Sequence, residues 1–214
     1  MASSIIHLAI TCELIKTRGF KDVNRLKFGA ILADYGSDRE TTHLRQRIQE
    51  LNKKSYNVNL FREKYKDKLL TDDLYLGYYL HLVQDISYGH FVYDRYNWNP
   101  RIPGNMERLY RDYNILNTYV RDKYGLVNDL RVPENLAQES LCDIDSFDVD
   151  RLESDMNRYF ASTADGDAFF FTKEMADIFI SEAVATCNKE IDALIKGEGM
   201  MDSVQEAWDN GPKA

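Results

Sequence analysis

His81 and Asp85 are the two side chains of this sequence whose types and spacing best suit shared chemistry. They lie four residues apart in the apolar segment YYLHLVQDI, and residues at that spacing on an α-helix project from one face, roughly 6 Å apart in height. A buried carboxylate is costly unless a cation or hydrogen-bond donors compensate its charge. A metal ion held by both side chains would supply that compensation, and a direct hydrogen bond between them is the alternative.

Three further histidines could join this pair, and all four histidines of the chain lie within its first 90 residues. His7 lies in an apolar first helix, His43 follows the loop residue Asp34 by nine positions, and His90 follows Asp85 by five. Taken singly, His7 could be a core histidine, His43 a surface residue and Asp34 a turn residue. Imidazole and carboxylate ligands together favour Zn2+, with iron, manganese or nickel as alternatives.

Composition and charge narrow the class of protein. The 214 residues, 44% of them apolar and 29% charged, are enough for one hydrophobic core, so we predict a single domain over residues 1–214. The net charge of −8 disfavours binding to long nucleic acid and favours a small substrate. The apolar runs are shorter than the roughly 20 residues that span a bilayer, and the N-terminus lacks the basic region of a signal peptide. We therefore expect a soluble cytoplasmic protein with no stable membrane insertion.

Helical periodicity runs through most of the sequence and predicts an all-α bundle of about seven or eight helices. Ser3 can cap the first helix, and a second helix is expected over residues 22–32. An acidic cap at residues 71–73 precedes the most apolar helix, which contains His81 and Asp85 and is expected at the centre of the bundle. Further helices are predicted near residues 57–69, 105–124, 133–141, 149–160 and 172–196, with a short one at 201–208 before a frayed tail.

The order of these histidines and aspartates resembles that of the zinc-dependent phospholipase C and single-strand-specific nuclease superfamily. The resemblance covers roughly residues 4 to 95, in the stretches SIIHLAI, FGAILADYG, the isolated His43 and LGYYLHLVQDISYGH. It implies an all-helical fold and a set of ligands for one metal ion, namely Asp34, His43, His81 and Asp85. It also implies that Asp85 bridges to a second ion held by His7 and that His90 is the first ligand of a third.

The sequence departs from that family at two places. Secreted members bind a metal through an N-terminal Trp, whereas this sequence starts MASS. Those members also supply another His, followed four residues later by an acid, but no histidine follows His90 here. Other acids would have to complete the third site, and the candidates are Asp94, Asp112, Asp177 and Glu182. The sequence does not decide whether one or two ions bind, nor what the oligomeric state is.

The resemblance implies a metal-dependent hydrolase that cleaves a small phosphate ester with a metal-activated water. Asp34 is the candidate to orient or deprotonate that water, and Tyr35 is the aromatic side chain expected first at the substrate. The alternative is a non-catalytic member that acts as a binding or assembly module, which the missing Trp and His favour. A helical phosphohydrolase with an adjacent His-Asp dyad is a third hypothesis, and the lack of that dipeptide counts against it.

Overall fold

The computed structural model describes residues 2–209, and most of them are helical. In this range the α-helices are α1 (Ser4–Thr17), α2 (Val23–Leu32), α3 (Arg39–Thr42), α4 (Val58–Lys64), α5 (Lys66–Leu69), α6 (Asp73–Gly89), α7 (Asn105–Lys123), α8 (Val149–Ala161) and α9 (Lys173–Ile195). A small antiparallel sheet contains β1 (Arg45–Ile48), β2 (Lys53–Tyr56) and β3 (Trp208–Asp209), in that order. The prediction of a multi-helix domain is confirmed, and the small sheet is an addition that the sequence did not predict. No helix in residues 2–209 has both the length and the apolar character to cross a membrane.

Side-chain caps start the helices that contribute to the site, as the sequence predicts. Ser3 accepts a hydrogen bond from the Ile6 amide at the start of α1, and Asp22 caps α2 in the same way. Asp72 accepts from the Leu74 amide at the start of α6. Each such cap satisfies a backbone donor that has no partner within the helix, a contribution of about 1 kcal/mol.

Helices α2 and α6 cross at the centre of the molecule with almost no space between their backbones. A Cβ added to Gly29 would overlap the carbonyl oxygen of Leu74, and one added to Gly77 would overlap that of Leu26. Side chains all around α6 are buried, as predicted for a central helix. The close crossing brings the end of α2, where Asp34 lies in a 3-10 turn, beside the middle of α6.

Three segments differ from the helical prediction. In place of the helix predicted near residues 133–141 there are two 3-10 turns, Leu136–Gln138 and Ser140–Asp143, because Asn135 adopts a left-handed conformation that interrupts a helix. Residues 57–69 divide into α4 and α5 at Tyr65. Residues 201–208 do not form the predicted helix: residues 203–206 form a turn, in which the Asp202 side chain accepts from the amides of residues 204 and 205, and Trp208 belongs to β3. The tail predicted to fray includes residues 210–214, which lie outside the described residues.

A buried carboxylate directs the C-terminal segment back towards the core. Glu190 on α9 accepts hydrogen bonds from the amides of Met200 and Met201, each at 2.9 Å, and from the Tyr79 hydroxyl at 2.6 Å. Arg62 donates to the Met201 carbonyl at 2.6 Å. These contacts place the following residues so that Trp208 of β3 can pair with β2.

Candidate metal centre

Five side chains that the sequence singled out meet in the interior of the molecule. His7 comes from α1, Asp34 from the turn after α2, His43 from the end of α3, and His81 and Asp85 from α6. All five are buried, with Asp34 the most exposed at 6%. The i, i+4 spacing on α6 supplies two members, and the close crossing of α2 with α6 adds a third.

The three imidazole rings of this centre share one hydrogen-bonding pattern at Nδ1. Each Nδ1 lies within hydrogen-bond distance of an oxygen, which is Gln84 Oε1 for His7 (2.7 Å), the Arg39 carbonyl for His43 (3.1 Å) and the Ala30 carbonyl for His81 (2.9 Å). Because a carbonyl oxygen only accepts, these contacts place the ring proton on Nδ1. In the neutral form of each ring, Nε2 then carries the lone pair, which is the tautomer that histidine ligands of metals use.

The Nε2 atoms point towards one another. Those of His43 and His81 are 3.1 Å apart, and the rings of His7 and His81 stack with their centroids 4.1 Å apart. Two lone pairs at this distance repel unless a proton or a cation lies against both. Two nitrogens that each coordinate Zn2+ at about 2.0–2.1 Å lie roughly 3.4 Å apart in a tetrahedral site. The observed separation is therefore close to that of two ligands of one ion.

Asp85 lies between these imidazoles and offers a different oxygen to each side. Its Oδ1 is 3.4 Å from His7 Nε2 and accepts a hydrogen bond of 3.0 Å from the Ala2 amide. Its Oδ2 is 3.4 Å from His43 Nε2 and 3.6 Å from His81 Nε2. A carboxylate in this arrangement can bind one ion through Oδ2 or bridge two ions.

Asp34 completes the centre from the side of α2. Its Oδ1 is 3.7 Å from His43 Nε2, and its Oδ2 is 3.4 Å from the Ser4 hydroxyl. The guanidinium of Arg39 lies 4.0 Å from Oδ1. Oδ1 is buried and accepts no hydrogen bond among the described residues, so it is available to an ion or to water.

Unsatisfied polar atoms indicate what the centre can bind. His7 Nε2, Asp34 Oδ1 and Asp85 Oδ2 are all buried without a hydrogen-bond partner in residues 2–209. Each such atom costs about 1–3 kcal/mol when nothing satisfies it. Two overlapping groups, His7 with Asp34 and His81, and His43 with His81 and Asp85, have ligand atoms within 4.8 Å of one another. This donor set fits a metal ion, and either group could hold one.

The protonation of the centre also suits a cation. Burial and the neighbouring His7 lower the pKa of His81 to about 3, so its imidazole is neutral at physiological pH. Burial alone would raise the pKa of Asp85, yet the surrounding groups, His43 and His7 among them, hold it well below the usual range. Burial works against a charged His7, but Asp85 raises the pKa of His7 overall. The centre therefore contains an ionised carboxylate beside a neutral imidazole.

His90 belongs to neither of these groups. Its Nδ1 is 2.6 Å from Asp94 Oδ2, and its Nε2 is 3.1 Å from the Glu206 carbonyl. The other Asp94 oxygen accepts from the amide of Asp209. His90 and Asp94 thus hold the C-terminal segment against the π-helical turn His90–Arg95, and the structure does not bring His90 to the centre.

The other acids considered for a third site also have partners elsewhere. Asp112 is buried and accepts hydrogen bonds from three consecutive amides in residues 169–171. Asp177 bonds to side chains of α7, and Glu182 pairs with Arg95. These contacts hold α7, α9 and the turn after α6 together, and they leave the centre with the five residues named above.

A pocket of about 430 Å³ opens onto Asp34 and Asp85. Its walls carry four cationic side chains, which are Arg39, Arg45, Lys54 and Arg158. Its aromatic lining consists of Tyr56, Tyr93, Tyr110, Tyr113, Tyr159 and Trp208. Tyr35 is not among the lining residues: it is 3% exposed, and Arg151 packs over its ring. The structure therefore gives no support to the expectation that Tyr35 is the first aromatic side chain at a substrate in this pocket.

The sheet and Trp208 form a wall of this pocket that no sequence pattern predicted. A Cβ added to Gly89 would overlap the Trp208 ring, so glycine at the end of α6 permits the close packing of that ring. The ring also packs edge-on against Tyr56, with centroids 5.0 Å apart. Gly89 thus accommodates Trp208.

Substituting Gly89 with alanine is expected to displace Trp208 from the pocket wall. The added methyl group overlaps the ring, and such overpacking costs about 1–3 kcal/mol. Tryptophan emission should shift to the red and become more accessible to acrylamide. The variant Trp208→Phe retains only Trp98, so its emission spectrum separates the emission of Trp208 from that of Trp98. Emission unchanged by Gly89→Ala would contradict the packing described here.

The assignment of this site rests on its geometry, because comparison with known proteins adds nothing to it. No family model, curated protein or solved structure matches the chain.

Proposed function

We propose that this protein is a metal-dependent hydrolase of small phosphate esters, related to the zinc-dependent phospholipase C and single-strand-specific nuclease superfamily. One observation carries the proposal. Unsatisfied nitrogen and oxygen atoms of the buried histidines and aspartates converge beside a pocket whose walls carry four cations. Metal ligands next to an anion-attracting pocket suit the cleavage of a phosphate ester.

His43, His81 and Asp85 would hold the principal ion, which we propose is Zn2+, with Asp34 and His7 completing one or two sites. A divalent cation bound there supplies Lewis acidity and makes water a stronger acid. Asp34 would act on that water, and the support for this role is that its Oδ1 accepts no hydrogen bond among the described residues and lies 3.7 Å from His43 Nε2. It would orient the water and accept its proton.

Arg39 would meet the phosphoryl group on the solvent side of Asp34. Its side chain is 54% exposed and its guanidinium is 4.0 Å from Asp34 Oδ1. A planar guanidinium can donate two hydrogen bonds to a phosphate and balance negative charge on its oxygens. The pocket volume of about 430 Å³ lies within the range of small-molecule sites, which is about 300–1,000 Å³.

A non-catalytic binding module is the second candidate, and the contact between His7 and Asp85 favours it. This pair, 3.4 Å apart, compensates part of the buried negative charge without an ion. The two candidates differ in whether Asp34 supports turnover.

The test combines metal analysis with turnover by Asp34→Asn. We expect at least about one metal ion per wild-type chain and hydrolysis of bis-nitrophenyl phosphate. Loss of the carboxylate should reduce kcat about 10²- to 10⁴-fold, the usual contribution of a general base, and measuring the metal in the same samples separates this effect from loss of the ion. Asp129→Asn is the control, because Asp129 is exposed and pairs with Lys27. A metal-loaded wild type without turnover on a panel of phosphate monoesters and diesters would favour the binding module.

A further inference from the structure

Lys54 stands out among the cations of the pocket because its ammonium group has no partner. Within residues 2–209 no acceptor lies within hydrogen-bond or ion-pair distance of it, whereas the other three cations each contact a carboxylate. Arg45 pairs with Glu40 and Arg158 pairs with Asp155. A lysine that folding brings into a pocket usually gains an anion, and none of the described residues supplies one.

The surroundings of Lys54 are unfavourable for a positive charge. Lys54 lies on the middle strand of the sheet, directly opposite Arg47 of β1 and Trp208 of β3. Like charges at opposed positions of an antiparallel pair destabilise it. Burial lowers the pKa of Lys54, and the charges of Arg45 and Arg47 lower it further. An anion bound beside Lys54 would relieve both effects.

The acids of the pocket are not placed to neutralise Lys54. Asp34 and Asp85 belong to the metal centre described above. Asp209 lies on β3 opposite Lys53, one position away from Lys54 in register. The pocket therefore has cationic side chains at two places. Arg39 lies near the metal centre, and Arg45 and Lys54 lie on the sheet.

We infer that Lys54, supported by Arg45, forms a second anion subsite, and that the substrate is a small phosphate ester carrying a second phosphate group. This inference rests on the proposed function in one respect, namely that the ester phosphate is cleaved at the metal centre. The same pocket is lined by Asp34 and Asp85 at that centre and by Arg45 and Lys54 on the sheet, so one molecule can contact both. The second phosphate stays bound to the sheet cations and does not take part in bond cleavage.

Binding measurements test the subsite without requiring turnover. The probes are propylphosphonate, which has one phosphonate group, and propane-1,3-bisphosphonate, which has one at each end. Each is titrated into the purified protein by calorimetry, after the metal content of the protein has been measured. We expect the wild type to bind the bisphosphonate at least about tenfold more tightly than the monophosphonate. Lys54→Met should remove this preference, because methionine keeps most of the side-chain volume but lacks the charge.

Lys53→Met is the matched control, since Lys53 is the neighbouring strand residue and does not line the pocket. It should keep the preference for the bisphosphonate. Equal preference in the wild type and Lys54→Met would overturn the inference, as would an equal loss in both lysine variants.

Turnover separates this inference from the proposed function. The substrates are a nitrophenyl phosphodiester with and without a second phosphate on its other alcohol. A kcat/KM advantage for the second phosphate, lost only in Lys54→Met, supports both ideas. Bisphosphonate selectivity without turnover of either ester would leave the subsite standing and contradict the hydrolase. Turnover of both esters at equal kcat/KM would contradict the subsite and leave the hydrolase standing.

Discussion

Replacing His81 with alanine is expected to reduce the metal content at least tenfold and to abolish hydrolysis of phosphate esters. His81 belongs to both groups of residues that could hold an ion, so its loss removes a ligand wherever the ion lies. The Ala30 carbonyl also loses the hydrogen bond that it accepts from His81 Nδ1. Elemental analysis of protein purified without chelators measures the effect directly.

Two further variants make this result specific. Asp85→Asn is nearly isosteric and removes the negative charge while keeping the packing, so it should lose metal with less effect on folding than His81→Ala. His90→Ala removes the histidine that lies outside the centre and bonds to Asp94, and it should keep the wild-type metal content. Equal metal loss in His90→Ala, or full metal retention in His81→Ala and Asp85→Asn, would contradict the assignment of the centre.

Gly77→Ala is expected to destabilise the protein by about 3 kcal/mol or more, the upper end of overpacking effects. The obstacle is the backbone of α2 at Leu26, which cannot move aside as a flexible side chain would. For a chain of this size the loss corresponds to a fall in Tm of roughly 6 to 12 °C. Thermal unfolding followed by circular dichroism measures it.

The same substitution should also impair the metal centre. Separating α2 from α6 moves Asp34 away from His81 and Asp85, so the metal affinity of the folded variant should fall. Gly29→Ala should behave alike, because its Cβ would overlap the backbone of α6. Gly19→Ala is the control, since a Cβ at Gly19 meets no atom within 4 Å. At roughly 2–4 °C per kcal/mol for a chain of this size, a Tm difference of only about 1–2 °C between Gly77→Ala and Gly19→Ala would mean a loss of less than about 1 kcal/mol. That result would show that the crossing is looser than described.

Local sequence predicted the helices and much of the candidate centre because both depend on short-range rules. Caps and apolar periodicity mark α1, α2 and α6 within the segments themselves. The spacing of His81 and Asp85 along one helix is enough to place them on the same face. His7, Asp34 and His43 required the family resemblance, since nothing in their own segments indicates that they meet.

The tertiary structure alone decided the pocket and the roles of His90 and Trp208. The strands RQRI and KKSY contain too few apolar residues to show the alternation of a half-buried strand. Trp208 reaches β2 through contacts far apart in sequence, in a segment whose local pattern predicts a short helix. The close contacts at Gly29 and Gly77 are likewise a property of two helices together, because each glycine makes room for the backbone of the other helix. Such features arise from long-range packing, which the periodicity of one segment does not encode.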